Sequence, residues 1–181
     1  KGMKLIDREL GGTTPIDVII KFNEDEVLTN KNTTDDLDFE TEFDDDIFSD
    51  DIFDEDNKIW FTQKKINIIK KIHEYLENKT EIGKVNSIYS LINVANQINK
   101  NELSTFELSI LYNEIPEQYK INLIYPYLNI NENMIKITAR VKDSEDIKRS
   151  ELIKDIREYS NKIIKDDAEI KVNGLLVLYN N

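Results

Sequence analysis

The sequence predicts an α+β fold of the ferredoxin-like, split βαβ type, with a four-stranded antiparallel sheet and two long helices on one face. Runs of apolar and β-branched residues indicate four strands, near residues 15–22, 82–88, 133–142 and 168–177. Apolar residues at helical spacing indicate two long helices, near residues 62–77 and 145–164. Right-handed crossovers would place both helices on the same side of the sheet.

The first strand is expected directly after the segment Gly11-Gly12-Thr13-Thr14-Pro15. Paired glycines and a proline interrupt regular structure, so the strand should begin near the proline. The run from Ile16 to Phe22 is rich in β-branched residues and apolar on both sides near its centre. This composition predicts a largely buried strand.

The first long helix has a recognisable start. Thr62 can cap the first-turn amides, while Phe61 and Ile66 can form a hydrophobic staple. The apolar stripe that continues to Leu76 is expected to face the sheet. His73, the single histidine of the chain, lies beside this stripe. With no second histidine or thiol nearby in sequence, we expect it to be a packing residue rather than a catalyst or metal ligand.

A helical insertion is expected at residues 89–130, between the two βαβ halves. Ser90 should cap its first helix. Ser104 and Glu107 have the spacing of a capping box, which predicts a second helix over residues 105–115. A third helical segment should follow the next proline, because proline is well tolerated at the first helical position.

The second βαβ half begins with a half-buried strand, because residues 133–142 alternate between apolar and polar side chains. Asp143 or Ser144 is expected to cap the long helix that follows. After the last strand, Asn173 and Gly174 have the chemistry of a tight hairpin turn.

The loop at residues 23–60 contains a strongly acidic stretch. Residues 35–56 include thirteen Asp or Glu residues and no Lys or Arg, so their composition predicts a solvated, disordered loop. Phe48 or Phe53 could instead anchor it to the body. A further alternative is a calcium site at alternating acidic positions, although the glycine and terminal glutamate of an EF-hand loop are missing. Its ligands would be Asp44, Asp46 and Asp50.

The overall composition excludes several classes of function. The formal net charge is −12, which disfavours binding to nucleic acid or to anionic lipid. The absence of cysteine excludes disulfides, thiolate nucleophiles and sulfur metal sites. No apolar run of about eighteen residues and no signal-peptide core occurs, so we expect either a cytosolic protein or a piece of a longer chain. No cofactor motif and no catalytic residue is identified.

The segment from Asp7 to Val18 resembles the region after the first transmembrane helix of RND-superfamily exporters, in the hydrophobe/amphiphile efflux and MMPL-like branch. In that family a Gly-Gly-Thr-x-Pro element leads into the first porter strand. Residues 83–87 and 173–181 resemble two later steps of the same domain, the second of which enters the second transmembrane helix. The motif residues are Gly11, Gly12, Thr13, Pro15, Gly83 and Gly174.

The resemblance implies that residues 1–181 form a single extracytoplasmic, porter-type domain at the periplasmic face of a bacterial inner membrane. Its implied partners are a second extracytoplasmic domain and the transmembrane helices of the same proton-driven exporter, with a homo-oligomer left open. The substrate would be a hydrophobic, amphiphilic or lipid-like molecule. We expect substrate contacts from apolar residues of the insertion, unless these only pack it onto the sheet. They are Leu103, Phe106, Ile110, Leu111, Tyr119 and Tyr125.

Two other classes of function are weighed against the exporter domain. A free-standing binding module could use its open sheet face or the acidic loop to recruit a basic partner. An enzyme on the same scaffold is disfavoured, because no nucleophile, base and orienting residue can be grouped from the sequence.

Overall fold

The computed structural model describes residues 11–23, 60–142 and 148–174. These residues form a mixed structure with an open antiparallel sheet of five strands and five helices. In chain order the elements are β1 (Thr14–Phe22), α1 (Gln63–Glu77), β2 (Ile82–Asn86), α2 (Ile88–Asn99), α3 (Thr105–Glu114), α4 (Glu117–Leu123), β3 (Leu128–Asn129), β4 (Met134–Val141), α5 (Arg149–Ile164) and β5 (Ala168–Asn173).

The strand order in the sheet is β2-β4-β1-β5, and the short β3 pairs with the start of β4. Every neighbouring pair is antiparallel. It follows that β1 and β2 run parallel with β4 between them, while β4 and β5 run parallel with β1 between them. Helix α1 therefore connects two parallel strands that are not neighbours, and α5 does the same in the second half.

One side of the sheet carries the core. The period-two alternation of the strands sends Ile16, Val18 and Ile20 of β1 inward, opposite Ala139 and Ile137 of β4 in the first two cases. All are buried. Helix α1 packs on β2, and helix α5 packs on β5, each through its own apolar stripe. The opposite side of the sheet carries half-buried and exposed residues, most of them polar.

The two long helices also contact each other. The rings of Tyr75 and Tyr159 are stacked, with centroids 3.7 Å apart and planes 6° apart. Lys79 Nζ lies 3.1 Å from Asp155 Oδ2 and 5.0 Å from the centre of the Tyr75 ring. Aromatic pairs of this kind stabilise beyond the area that they bury, so this contact fixes the relative position of α1 and α5.

Asn133 joins the end of β1 to the start of α1. Its side chain accepts a hydrogen bond from Trp60 Nε1 at 3.0 Å and donates to the backbone oxygens of Phe22 and Asn23 at 3.2 and 2.9 Å. The rings of Phe22 and Trp60 meet edge to face, with centroids 6.0 Å apart. The chain therefore leaves the described structure after Asn23 and re-enters it at Trp60 close to the same point.

The structure corrects several details of the predicted elements. Helix α2 begins at Ile88, not after Ser90, because Ser87 is the N-cap and Ser90 returns a hydrogen bond to the Ser87 backbone as the other half of a capping box. The last residues expected for the second strand belong to this cap and helix. The predicted four-stranded sheet has a fifth strand, β3. Helix α5 begins at Arg149, and the expected caps Asp143 and Ser144 lie outside the described residues.

Other local predictions are confirmed. Thr62 caps α1 by accepting a hydrogen bond from the backbone of Lys65. The capping box of α3 is present in both directions: Glu107 Oε2 accepts from Ser104 N at 2.7 Å, and Ser104 Oγ accepts from Glu107 N at 3.2 Å. These bonds to Ser104 lower the pKa of the Glu107 carboxyl.

Candidate functional site

The main concave feature of the described residues is an apolar groove between helices α2, α3 and α4, with a volume of about 350 Å³. Helix α2 contributes one wall through the side chains of Leu91, Val94, Ala95 and Ile98. The other sides include Phe61, Leu108, Leu111, Tyr112, Leu123 and Ile124. Every lining side chain is aliphatic or aromatic. Pockets of this size and composition are typical of sites for apolar small molecules.

The groove exists because the three helices do not pack closely against one another. Helix α3 is apolar around its circumference and buries only Leu108, and α4 buries none of its residues. Ile98 and Val94 therefore remain 78% and 52% exposed, which is unusual for large apolar side chains lying on the same helix face. A contiguous exposed apolar surface of this kind commonly marks a binding site.

Two sets of contacts hold the helices around the groove in place. Asn96 Oδ1 of α2 accepts a hydrogen bond from the backbone of Leu103 at 2.9 Å, which ties α2 to the start of α3. A series of ring contacts joins Trp60 to Phe61 and Phe61 to Tyr112, with centroid distances of 5.3 and 5.9 Å. The floor of the groove is thus continuous with the core that lies beneath α1.

A second, more polar depression of about 430 Å³ lies beside the groove and shares Tyr112 with it. Its other lining residues are Tyr125, Leu128, Asn129, Ile130 and Asn131. The Tyr125 hydroxyl donates to Glu117 Oε1 at 2.7 Å, and this bond raises the pKa of Tyr125. Lys120 Nζ lies 4.5 Å from the centre of the Tyr112 ring. An apolar groove and a polar depression therefore meet at one tyrosine.

The six residues expected to contact substrate are distributed unevenly. Leu111 lines the groove and Tyr125 lines the polar depression. Leu103 is half-buried and packs against the core. Phe106, Ile110 and Tyr119 are exposed but line neither feature.

The wall contributed by α2 was not predicted as part of a site. Its apolar stripe was visible in the sequence, but an amphipathic stripe usually packs against the protein's own core. The available indication was the stripe's end at Ile98, which lies beyond the reach of the sheet.

The motif glycines lie where backbones approach each other closely. A Cβ atom on Gly83 would overlap the carbonyl of Gly11, and one on Gly174 would lie 2.6 Å from the carbonyl oxygen of Pro15. Gly12 has φ +114°, and a Cβ there would lie 2.7 Å from Val141 O. The turn before β1 is therefore packed against β2 and β4 by backbone atoms, and Thr13 and Pro15 continue it into the strand.

His73 is part of a buried polar chain. The Ser87 Oγ atom accepts a hydrogen bond from the backbone of Tyr89 at 3.0 Å and lies 2.8 Å from His73 Nδ1. With its acceptor role used in the cap, Ser87 donates to Nδ1, so the proton of the neutral imidazole is on Nε2, 3.1 Å from Glu77 Oε1. Burial lowers the pKa of His73, although Glu77 and Glu74 act in the opposite direction.

A serine, a histidine and a glutamate in contact resemble the components of a hydrolase site, but the position of Ser87 does not suit that chemistry. A nucleophilic serine must reach a substrate carbonyl, whereas Ser87 is 1% exposed and is the N-cap of α2. These three residues instead connect α1 to the start of α2.

The acidic positions weighed for calcium, Asp44, Asp46 and Asp50, lie outside the described residues. Within the described ranges, no three His, Asp or Glu side chains are grouped in a way that could hold a metal ion. In the same part of the chain, none of the helices has both the length and the apolar character required to cross a membrane.

Comparison with known proteins does not assign the chain to a family: no family model matches it, and no curated protein is significantly similar to it. The function is therefore argued from the groove, the depression beside it and the resemblance carried by the motif residues.

Proposed function

We propose that this chain is an extracytoplasmic, porter-type domain of a proton-driven exporter of the RND superfamily, in its hydrophobe/amphiphile efflux and MMPL-like branch. Its role would be to provide part of the pathway for hydrophobic or amphiphilic substrates at the periplasmic face of a bacterial inner membrane. The observation that carries the proposal is the apolar groove between α2, α3 and α4, together with the polar depression that shares Tyr112.

We also propose that the fold is of the ferredoxin-like class. The strand order β2-β4-β1-β5 and the two split βαβ units support this assignment. The helices α2, α3 and α4 are then the insertion between the two halves, and the groove belongs to the insertion rather than to the common scaffold. Function located on an insertion is consistent with the general rule that a fold supports many unrelated activities.

An amphiphile fits the two adjoining features better than a purely polar or purely apolar molecule. A hydrocarbon tail in the groove gains about 0.8 kcal/mol for each methylene removed from water. The polar end would then lie in the depression, where Asn129, Asn131 and the Tyr125 hydroxyl provide hydrogen-bonding groups. Because the groove contains no polar anchor, it would discriminate poorly among tails, as expected of a pathway that must both accept and release its substrate.

The proposal is tested by binding of a neutral fluorescent amphiphile, N-phenylnaphthylamine, to the full chain and by its displacement with a monoacylglycerol below the micellar concentration. The substitution Ala95→Trp places an indole in the groove. It should weaken binding about tenfold or more, since losing burial of two methylenes costs about 1.6 kcal/mol. The matched control is Gln97→Trp, an exposed position of the same helix that does not line the groove.

Equal binding to both variants would contradict the groove assignment, provided that circular dichroism shows both to be folded. The exporter assignment has an independent test in the full gene product, where we expect apolar spans of about twenty residues immediately before Lys1 and after Asn181. The partners would be those transmembrane helices and a second extracytoplasmic domain. A gene product without such spans would eliminate the exporter while leaving amphiphile binding to be judged by the titration.

A second candidate, a free-standing interaction module, is favoured by one specific observation: the side of the sheet away from α1 and α5 is uncovered by other described elements. Recruitment of a basic partner by residues 35–56 would be strongly salt-dependent and lost on deleting them. Those residues lie outside the described ranges, whereas the sheet face can be characterised directly.

A further inference from the structure

The side of the sheet opposite the helices, which we call the open face, is basic although the chain as a whole is acidic. The alternation of the strands brings five basic side chains to it: Lys21 of β1, Lys84 of β2, Lys136 and Arg140 of β4, and Lys171 of β5. The acidic residues on the same side are Asp17 and Glu169. The formal charge of the open face is therefore three positive, against −12 for the whole chain.

The basic residues of the open face are not neutralised within the fold. None of the five forms an ion pair with any residue in the described ranges. Lys84 and Arg140 are moreover directly opposite each other in the register of β2 and β4. Like charges at directly opposed positions destabilise a sheet, so this arrangement has a cost that packing alone does not explain.

The centre of the open face is apolar. Ile19 is half-buried and is flanked in register by Lys136 on one side and Lys171 on the other. Neighbouring strands are about 4.8 Å apart, and residues on one side of a strand are about 6.8 Å apart, so the five cations surround a small apolar patch on a flat surface. A ligand that matches this pattern is extended and acidic, with an apolar side chain between its carboxylates.

We propose that the open face binds an acidic, extended segment of a partner protein. Charge complementarity selects a short acidic peptide over a nucleic acid or a bilayer, because screening limits electrostatic interactions to about 8–10 Å at physiological salt. A short segment confined to the face senses mainly its five cations. A long polyanion would extend over the rest of a chain whose net charge repels it. This proposal does not depend on the groove.

The test measures binding of a labelled peptide of alternating glutamate and leucine to the full chain by fluorescence anisotropy, at low and at physiological salt. The double substitution Lys84→Glu with Arg140→Glu should weaken binding about tenfold or more, because two favourable contacts become repulsive. The matched control is Arg157→Glu with Lys162→Glu, two exposed positions of α5 on the other side of the sheet with the same change of charge.

Loss of affinity in the first variant with less than about a twofold change in the control supports the proposal. Equal loss in both would show a general charge effect and overturn it. Tighter binding to duplex DNA or to phosphatidylglycerol vesicles than to the peptide would replace the proposed partner by another class. Peptide binding that is detected only after residues 35–56 are deleted would assign the face to this chain's own acidic stretch and also overturn the proposal.

Discussion

Acidification should weaken the fold through His73. The imidazole is 2% exposed and is held neutral between Ser87 and Glu77, and burial lowers its pKa below the ordinary value of 6.5. Between the folded and unfolded pKa values the unfolded chain binds more protons at this residue, so the stability that it contributes falls as the pH falls. The contribution is complete above the unfolded pKa and is lost progressively as the pH falls towards the folded pKa.

The size of the effect follows from proton linkage. One proton gives a slope of at most about 1.4 kcal/mol per pH unit, so a change from about pH 6.5 to about pH 5.5 should remove up to about 1 kcal/mol. Urea unfolding followed by the fluorescence of Trp60, the single tryptophan, gives the free energy of unfolding at each pH. Because many carboxylates also titrate, the quantity compared is the difference between the natural chain and His73→Gln, which does not titrate at this position.

The difference in unfolding free energy between the two proteins should be smaller at about pH 5.5 than at about pH 7.5, because only the natural chain loses the contribution of a neutral His73. A difference that does not change with pH would refute the reasoning. A difference that grows on acidification would reverse its sign and show that the charged imidazole is favoured by Glu74 and Glu77.

Three further substitutions test the packing. Gly83→Ala should lower the free energy of unfolding by about 1–3 kcal/mol in urea, because its Cβ would overlap a backbone carbonyl; an unchanged value would show that the turn before β1 is free to move. Ser104→Ala should cost about 1 kcal/mol in the same assay through loss of the α3 cap, and a neutral effect would mean that α3 is held by packing alone. A double-mutant cycle on Tyr75 and Tyr159, each changed to Leu, should give a coupling of about 0.5–1.5 kcal/mol, and zero coupling would contradict the stacked geometry.

Features set by neighbouring residues were the ones that sequence patterns predicted best. The Ser104 capping box and the Thr62 cap involve residues three apart, so their geometry is local and was predicted correctly. The start of α2 was misplaced because Ser87 and Ser90 are both suitable caps, and the structure uses them together. The strand β3 is two residues long and exists only through its pairing with β4, so no periodicity could reveal it.

The candidate sites required information that no single segment contains. The groove depends on the space that α2, α3 and α4 leave between them, and a stripe such as Leu91 to Ile98 looks the same whether it is covered or not. The open face is similar. The polar half of β4 was evident from its alternation, but the convergence of Lys84, Lys136 and Lys171 depends on the order in which distant strands pair.

The clamp made by Asn133 separates the length of the connection between β1 and α1 from the geometry of the sheet. Because both of its ends are fixed to one side chain, residues can be gained or lost between them without shifting either strand or helix. The entropy of closing such a connection changes by only about 0.6 kcal/mol for each doubling of its length. Evolution can therefore vary this part of the chain freely, and an engineer could replace it with a tag or a reporter domain while the scaffold keeps its shape.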